Sequence, residues 1–343
     1  MANKKILVIG AGLYGCCISI ELKRKGYDIT LVDKEGDIML GASLCNHNRI
    51  HYGYHYPRSY ETALESILGL EVFKEIFKEA MVYNFPNYYL VEKNSITPAD
   101  KFISFSDKLG FNYTEDKVSN DIVNNEYIDL TLKVEEPIYD YSKLKEKIKS
   151  YLDEYQINLR MNYDILEEKI EEYDHIVNAT YGNINKVNSF FNKPLIDIKL
   201  QDVIIPIFEA KMDKIGLTIM DGPYCSIMPK GFEKNKFLLY HVKYSVLKNL
   251  VGKKLEINQE YNVEQHVDNV YLNSKTYYPF LNDVKRIGYY RSLRTLPIND
   301  DDGRKVEIFY DKNDPTYFSV LSGKVTNCWT TARKIGEIIE NQT

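Results

Sequence analysis

Ile6-Leu7-Val8-Ile9 forms an unbroken apolar, branched run behind the polar lead of residues 1–5. A run so short and uninterrupted predicts a strand buried on both faces of a parallel sheet. Residues 13–25 then read as a helix, which Gly26 ends, and Asp28 to Val32 as a second strand. Ala63, Ile67, Leu70, Phe73 and Ile76 fall near helical spacing and predict a helix over 60–80. Leu144, Ile148 and Leu152, at i, i+4 and i+8, predict another over 142–155. Between them, 81–141 reads as short strands, such as 88–91, among polar turns. A strand over 157–161 follows. Residues 200–300 read as strand-rich, with candidates at 203–210, 224–228 and 237–242 and turns at Pro229-Lys230-Gly231 and 233–235. A helix over 330–341 closes the chain.

The 343 residues, 44% hydrophobic and 27% charged, are ample for a large core and two domains. A net charge of −5 argues against a nucleic-acid partner, which would select a basic patch. Lysines are many, but acids interleave with them, as between Lys143 and Glu154, and such runs are solvated helix faces. The longest uncharged stretch, Ile6 to Ile20, is too short to span a bilayer. No signal peptide is read at the start of the chain. Five cysteines without CxxC spacing suit a reduced compartment, with the cytoplasm as the expected location. The sequence says nothing of oligomeric state.

Directly after the first strand comes Gly10-Ala11-Gly12-Leu13-Tyr14-Gly15. Gly10 permits a tight turn, Gly12 lets the backbone approach a pyrophosphate, and Gly15 lets the helix pack close to the strand. The helix N-terminus behind Leu13 and Tyr14 favours negative charge. Asp33, at the end of the second strand and followed by Lys34, stands where an acid accepts hydrogen bonds from a ribose. Strand, glycines, helix, strand and acid in register make a dinucleotide site. Asp33 suits NAD or FAD alike. In a simple NAD enzyme a third strand and helix follow quickly; here a loop-like stretch with Gly41, Ser43, His47, His51 and His55 follows instead.

That stretch reads Gly41-x-Ser43, Asn46, Ile50-His51-Tyr52-Gly53 and Tyr56. It resembles the flavin-contacting segment of the D-amino-acid-oxidase superfamily, and most of all its FAD-dependent glycerol-3-phosphate dehydrogenases and L-2-hydroxyglutarate dehydrogenases. Asp174 before an apolar strand, then Ala179-Thr180-Tyr181-Gly182, resembles the second flavin-domain signature. Ser322-Gly323-Lys324-Val325-Thr326 is similar to the returning turn of the glycerol-3-phosphate enzymes. The resemblance implies an α/β fold: a discontinuous Rossmann-like FAD-binding domain over 1–80, 142–200 and 304–343. An antiparallel-sheet substrate domain over 81–141 and 201–303 completes it. It implies FAD as cofactor, held by Gly10, Gly12, Leu13, Tyr14, Gly15, Asp33, Lys34, Ser43, His51, Ala179, Thr180, Gly182, Gly323, Lys324, Val325 and Thr326. The activity it implies is that of an FAD-dependent oxidoreductase moving a hydride from a CH–OH or CH–NH carbon of a small anionic substrate to the flavin. Amine or amino-acid oxidation, a non-redox flavoenzyme such as a sugar mutase, and a non-catalytic nucleotide sensor are the alternatives.

Candidate chemistry rests on few residues. His47, His51 and His55 would share a helical face suited to zinc, but Gly53 and Pro57 oppose a helix, and no metal is expected. His51, at the Ile-His-x-Gly position, is a candidate base. His241, on the strand 237–242, is a second. Arg294 matches the substrate-anion arginine implied by the resemblance, with Arg304 and then Arg291 as further candidates. A guanidinium grips a carboxylate or phosphate bidentately, which a lysine cannot imitate.

Overall fold

A computed structural model describes residues 3–168, 170, 172–257, 261–298 and 305–341. The chain enters through β1 (Lys5–Ile9), turns at the glycines into α1 (Leu13–Arg24), and returns in β2 (Asp28–Val32). β1 and β2 pair in parallel, Lys5 opposite Asp28 and Ile9 opposite Val32. Gly26 ends α1 at φ 93°, a conformation that glycine adopts freely. Its N–H bonds the Lys23 carbonyl, and the Tyr27 N–H bonds that of Leu22.

After a long loop come α2 (Tyr60–Ile76), β3 (Met81–Val82), β4 (Asn87–Glu92), α3 (Ala99–Lys108), β5 (Tyr113–Glu115), β6 (Ile128–Val134) and β7 (Ile138–Tyr139). The chain then runs through α4 (Tyr141–Glu154), β8 (Asn158–Arg160), β9 (His175–Asn178) and α5 (Ile184–Phe190). Next are β10 (Ile198–Glu209), β11 (Gly216–Met220), β12 (Cys225–Pro229), β13 (Lys236–His241), β14 (Val246–Gly252) and α6 (Val263–Ser274). β15 (Lys285–Pro297), β16 (Glu307–Phe309), β17 (Tyr317–Leu321) and α7 (Cys328–Glu340) finish it.

Two sheets organise these elements. One has six strands in the order β16-β17-β9-β1-β2-β8, parallel apart from β16. The other has nine, in the order β14-β10-β13-β12-β11-β4-β6-β5, with β15 also paired to β10. It is antiparallel except where β11 runs parallel to β4. Helices α1, α2, α4 and α7 pack with the six-stranded sheet around Ile6, Val8, Ile20, Phe73, Ile148 and Trp329. A separate cluster, built on Phe208, Phe237, Tyr271 and Tyr278, lies behind the larger sheet.

Three helices depart from the sequence expectation, one of them the short α5, where no helix was expected. The region 81–141, read as strands and turns, contains α3, a short helix that buries only Phe102 and Ser106. Residues 200–300, read as strand-rich, contain α6, capped by the Asn262 side chain accepting from the Gln265 N–H. The helix expected over 60–80 stops at Ile76, and a 3₁₀ turn covers Lys78–Ala80. All five cysteines are buried and unpaired. Among the described residues, no helix is long and apolar enough to cross a membrane.

Candidate active site

A cavity of about 970 Å³ is lined by both sheets and by the loop over 41–59. Its size falls within the usual range of ligand sites. One end is the glycine turn. A Cβ at Gly10, where φ is 100°, would lie 2.8 Å from the Ala179 carbonyl oxygen, and one at Gly15 would lie 1.8 Å from the Gly10 oxygen. No larger residue fits at either, so the strand, the helix start and the Ala179 segment close on one another. Gly12, Leu13 and Tyr14 line the cavity. Ser43 Oγ accepts the Leu13 N–H at 3.0 Å, tying the long loop to the start of α1. Asp33 lines the same end. Its Oδ2 accepts the Ala11 N–H at 2.6 Å and its Oδ1 the Glu35 N–H at 3.0 Å, which fixes the carboxylate with lone pairs to spare.

These residues fit an FAD. The side-chain-free turn at a helix N-terminus suits a pyrophosphate, and the fixed Asp33 carboxylate suits ribose hydroxyls. Lys34, Ser43, Ala179, Thr180, Gly323, Lys324 and Val325 line the cavity with them. Gly15, Gly182 and Thr326 do not. Gly182 instead admits Leu293, whose Cβ would lie 2.7 Å from a Cβ there, and Thr326 is buried against α2. The Tyr14 hydroxyl donates to the Lys324 carbonyl at 2.5 Å. The Lys324 ammonium donates to the Thr62 carbonyl and Ser66 hydroxyl of α2 and stands 4.0 Å from the Tyr56 ring centre.

The larger sheet supplies the second wall. Gln201 and Arg294 are register partners across β10 and β15. Arg294 Nε and Nη2 donate to Gln201 Oε1 at 2.9 and 2.7 Å, and Nη2 also donates to the Tyr240 hydroxyl at 2.7 Å. All three line the cavity, and among the described residues no carboxylate pairs with Arg294. A guanidinium held in this way keeps the geometry that grips an anion bidentately. Arg291 is spent differently: it grips Asp202, with Nη2 to Oδ2 at 2.6 Å. Arg304 lies outside the described residues.

His241 does not reach the cavity, which corrects its reading as a catalytic candidate. Along β13 side chains alternate faces, so Tyr240 faces the cavity and His241 points the other way. There its Nδ1 accepts the Lys243 N–H at 3.2 Å and its ring meets Tyr244 edge-on. Burial pushes its pKa down to about 4.

His47, His51 and His55 all line the cavity from an irregular loop, not a helix. His47 Nδ1 lies 3.3 Å from Ser226 Oγ, and its ring stands edge-on to Tyr240. Burial, with Arg49 adding to it, pushes its pKa down to about 3. His51 and His55 lie with ring centres 5.1 Å apart. Among the described residues, no group of three or more histidine, cysteine or acidic side chains is placed to hold a metal.

Beneath His51 lies an ion pair that sequence reasoning missed. Arg49 Nη2 donates to Tyr89 Oη at 2.8 Å and lies 3.3 Å from Glu136 Oε1. Glu136 also receives the Tyr89 hydroxyl at 3.0 Å and the Tyr52 N–H at 3.0 Å. The two charged residues stand 87 positions apart, so no local spacing announces the pair. Tyr240 and Gln201 were missed too, the tyrosine being one of 29.

Residues 5–113 match the family model described as DAO, FAD dependent oxidoreductase. No curated protein matches the chain. Its fold is similar to that of glycine oxidase from Geobacillus kaustophilus, with a TM-score of 0.74 at 12% identity over 99% of this chain and 94% of that one. L-proline dehydrogenase from P. horikoshii aligns with a TM-score of 0.70 at 15% identity, over 99% and 94%. Glycerol-3-phosphate dehydrogenase from Bacillus halodurans, complexed with FAD, aligns with a TM-score of 0.65 at 15% identity, over 99% and 65%.

Proposed function

We propose that this chain, a member of the DAO family of FAD-dependent oxidoreductases, oxidises a small carboxylate at a carbon bearing an amino or hydroxyl group. The observation that carries the reading is the Arg294 guanidinium in the cavity wall, fixed by neutral Gln201 and Tyr240 and, among the described residues, without a carboxylate partner. One planar cation between neutral partners suits the single charge of a carboxylate, gripped bidentately. The neighbours named for glycine and L-proline act on amino acids of this kind, and the one named for glycerol 3-phosphate on an alcohol.

FAD, when bound, supplies the two-electron acceptor for the hydride that leaves the substrate carbon. The chain's own residues bind and orient. Arg294 holds the carboxylate, so the adjacent carbon is presented in one pose. His51, on the facing loop, takes the proton of the ammonium or hydroxyl group. The heteroatom keeps that bonding pair, and a C=N or C=O bond forms as the hydride departs. A general base contributes about 10²–10⁴-fold to such a step.

The domain division is proposed with this reading. Strands of the six-stranded sheet fall in 1–80, 142–200 and 304–343, taken as the FAD-binding domain. Those of the larger sheet fall in 81–141 and 201–303, apart from the start of β10, and form the substrate domain.

Arg294→Lys tests the anion site. Loss of the bidentate fork is expected to lower kcat/KM by about 10²-fold or more, chiefly through KM. Turnover of amino acids and 2-hydroxy acids with a redox dye supplies the substrate, and an unchanged kcat/KM on it would remove Arg294 from the site.

A further inference from the structure

Glu136 lies in the link between β6 and β7 and is 2% exposed, and its carboxylate sits beneath Arg49 and His51, which line the cavity. Three donors hold it: Arg49 Nη2 and the Tyr89 hydroxyl on Oε1, and the Tyr52 N–H on Oε2 at 3.0 Å. The Tyr89 hydroxyl is shared with Oε2 at 3.2 Å. The Asn87 side chain also fixes the Glu136 backbone carbonyl at 2.8 Å. A carboxylate offers about four acceptor directions; three donors use three of them, and the Tyr89 hydroxyl, within reach of both oxygens, can turn to Oε2 and leave the fourth, on Oε1, to another group. His51 Nδ1 stands 3.7 Å away, on a side chain that is 19% exposed and lines the cavity.

We propose that Glu136 is a positioning residue. Its Oε1 takes the His51 Nδ1–H and fixes the imidazole in the tautomer whose Nε2 receives the substrate's proton. This rests on His51 as the base of the reaction proposed above. The gap of 3.7 Å exceeds a hydrogen bond by a few tenths of an ångström, as is common before a substrate seats, and a small ring tilt closes it. When Nε2 takes the proton, the heteroatom keeps the bonding pair and the imidazolium stands beside the carboxylate. Glu136 stays ionised through the step, as the acid does in a serine hydrolase triad.

Arg49 serves the arrangement rather than the substrate. Burial raises the Glu136 pKa, and the Arg49 guanidinium, the Tyr52 N–H and the Tyr89 hydroxyl oppose that rise. Among the described residues, the groups around His51 include Glu136 and Arg49 beneath it, and His55 and Tyr56 beside it, with ring centres 5.1 and 5.6 Å away. Lys324 stands behind Tyr56. Of these, Glu136 is the anion, so its loss lowers the affinity of His51 for a proton.

The test is Glu136→Gln in the FAD-loaded enzyme. Its ¹⁵N ring shifts at neutral pH are expected to move away from the Nδ1–H tautomer that the wild type holds. The maximal kcat is expected to fall by about 10²–10⁴-fold. The acidic limb of the pH profile should shift to lower pH, because a less basic His51 sheds its proton sooner. A purely structural loss would lower the rate and leave that limb in place. Removing one partner of a buried ion pair costs about 3–5 kcal/mol, so Glu136→Asp, which keeps the charge, is the second variant. It is expected to fold, to retain the wild-type limb and to recover most of the tautomer. A tautomer in Glu136→Gln or Glu136→Asp that ignores residue 136 overturns the proposal. The ring shifts need no turnover, so they separate this failure from that of the base itself, which a fully active His51→Gln would reveal.

Discussion

At the residue scale, the most readable side chains were those whose role is local. Gly10, Gly12 and Gly15 announce the nucleotide turn because strand, turn and helix are contiguous, and the structure gives each glycine a close neighbour or an open wall. Arg49, Glu136 and Gln201 gave no such signal, since their partners lie 87, 84 and 93 positions away. His241 misled because alternation along a strand decides which of two neighbours faces inward, and only strand pairing fixes that choice. His47 carries a consequence for pH. Its pKa in the fold is about 3, against about 6.5 when unfolded. The folded chain therefore refuses a proton that the unfolded chain accepts below pH 6.5. Stability is full above that value and is lost as the pH falls from 6.5 toward 3, by at most about 1.4 kcal/mol per pH unit. His47→Asn is expected to flatten the fall of the urea midpoint between pH 6.5 and 4.5, leaving the part due to His241 and His175, whose pKa values burial also lowers. A slope equal to that of the wild type would discard this account.

At the scale of elements, the fingerprint strands and helices were legible from apolar spacing. The missed helices α3 and α6 were not. α3 mixes Phe and Ser on its inner side, and α6 interrupts a stretch whose strands dominate the pattern. β15 was hidden too, because most of its residues are not fully buried and their alternation is faint. Packing between α2 and the C-terminal turn could not be read at all. Gly69 lets them touch: a Cβ there would lie 2.3 Å from Asn327 Oδ1 and 2.8 Å from the Thr326 carbonyl oxygen. Lys324 bonds the same helix through Thr62 and Ser66. Gly69→Ala is therefore expected to lower stability by about 1–3 kcal/mol and, by pushing the turn off α2, to weaken FAD binding. Urea unfolding and a flavin titration read the two effects. Wild-type values in both would mean that the helix yields without cost.

At the scale of the molecule, the sequence carried the class of fold through its motifs, and the structure adds how two sheets share one cavity. The loop over 41–59 is pinned at one end to α1 through Ser43 and at the other to the larger sheet, where Arg58 Nε meets Asp221 Oδ2 at 2.8 Å. The buried cysteines turn this arrangement into something that can be timed. Cys16, Cys17 and Cys328 are fully enclosed within the core of the six-stranded sheet, and the Cys225 thiol packs against Ser274 and Tyr278 behind the larger sheet, while Cys45 borders the cavity. Burial holds the Cys45 and Cys225 thiols up at about 12, so an alkylating reagent finds almost no thiolate in the closed protein. Stripping the flavin is expected to hasten iodoacetamide capture of Cys45 while leaving the other four slow, as mass spectrometry of timed quenches would record. Five sulfurs then act as clocks set at two depths, one ticking with each loosening of the loop and the other only when the whole chain comes apart.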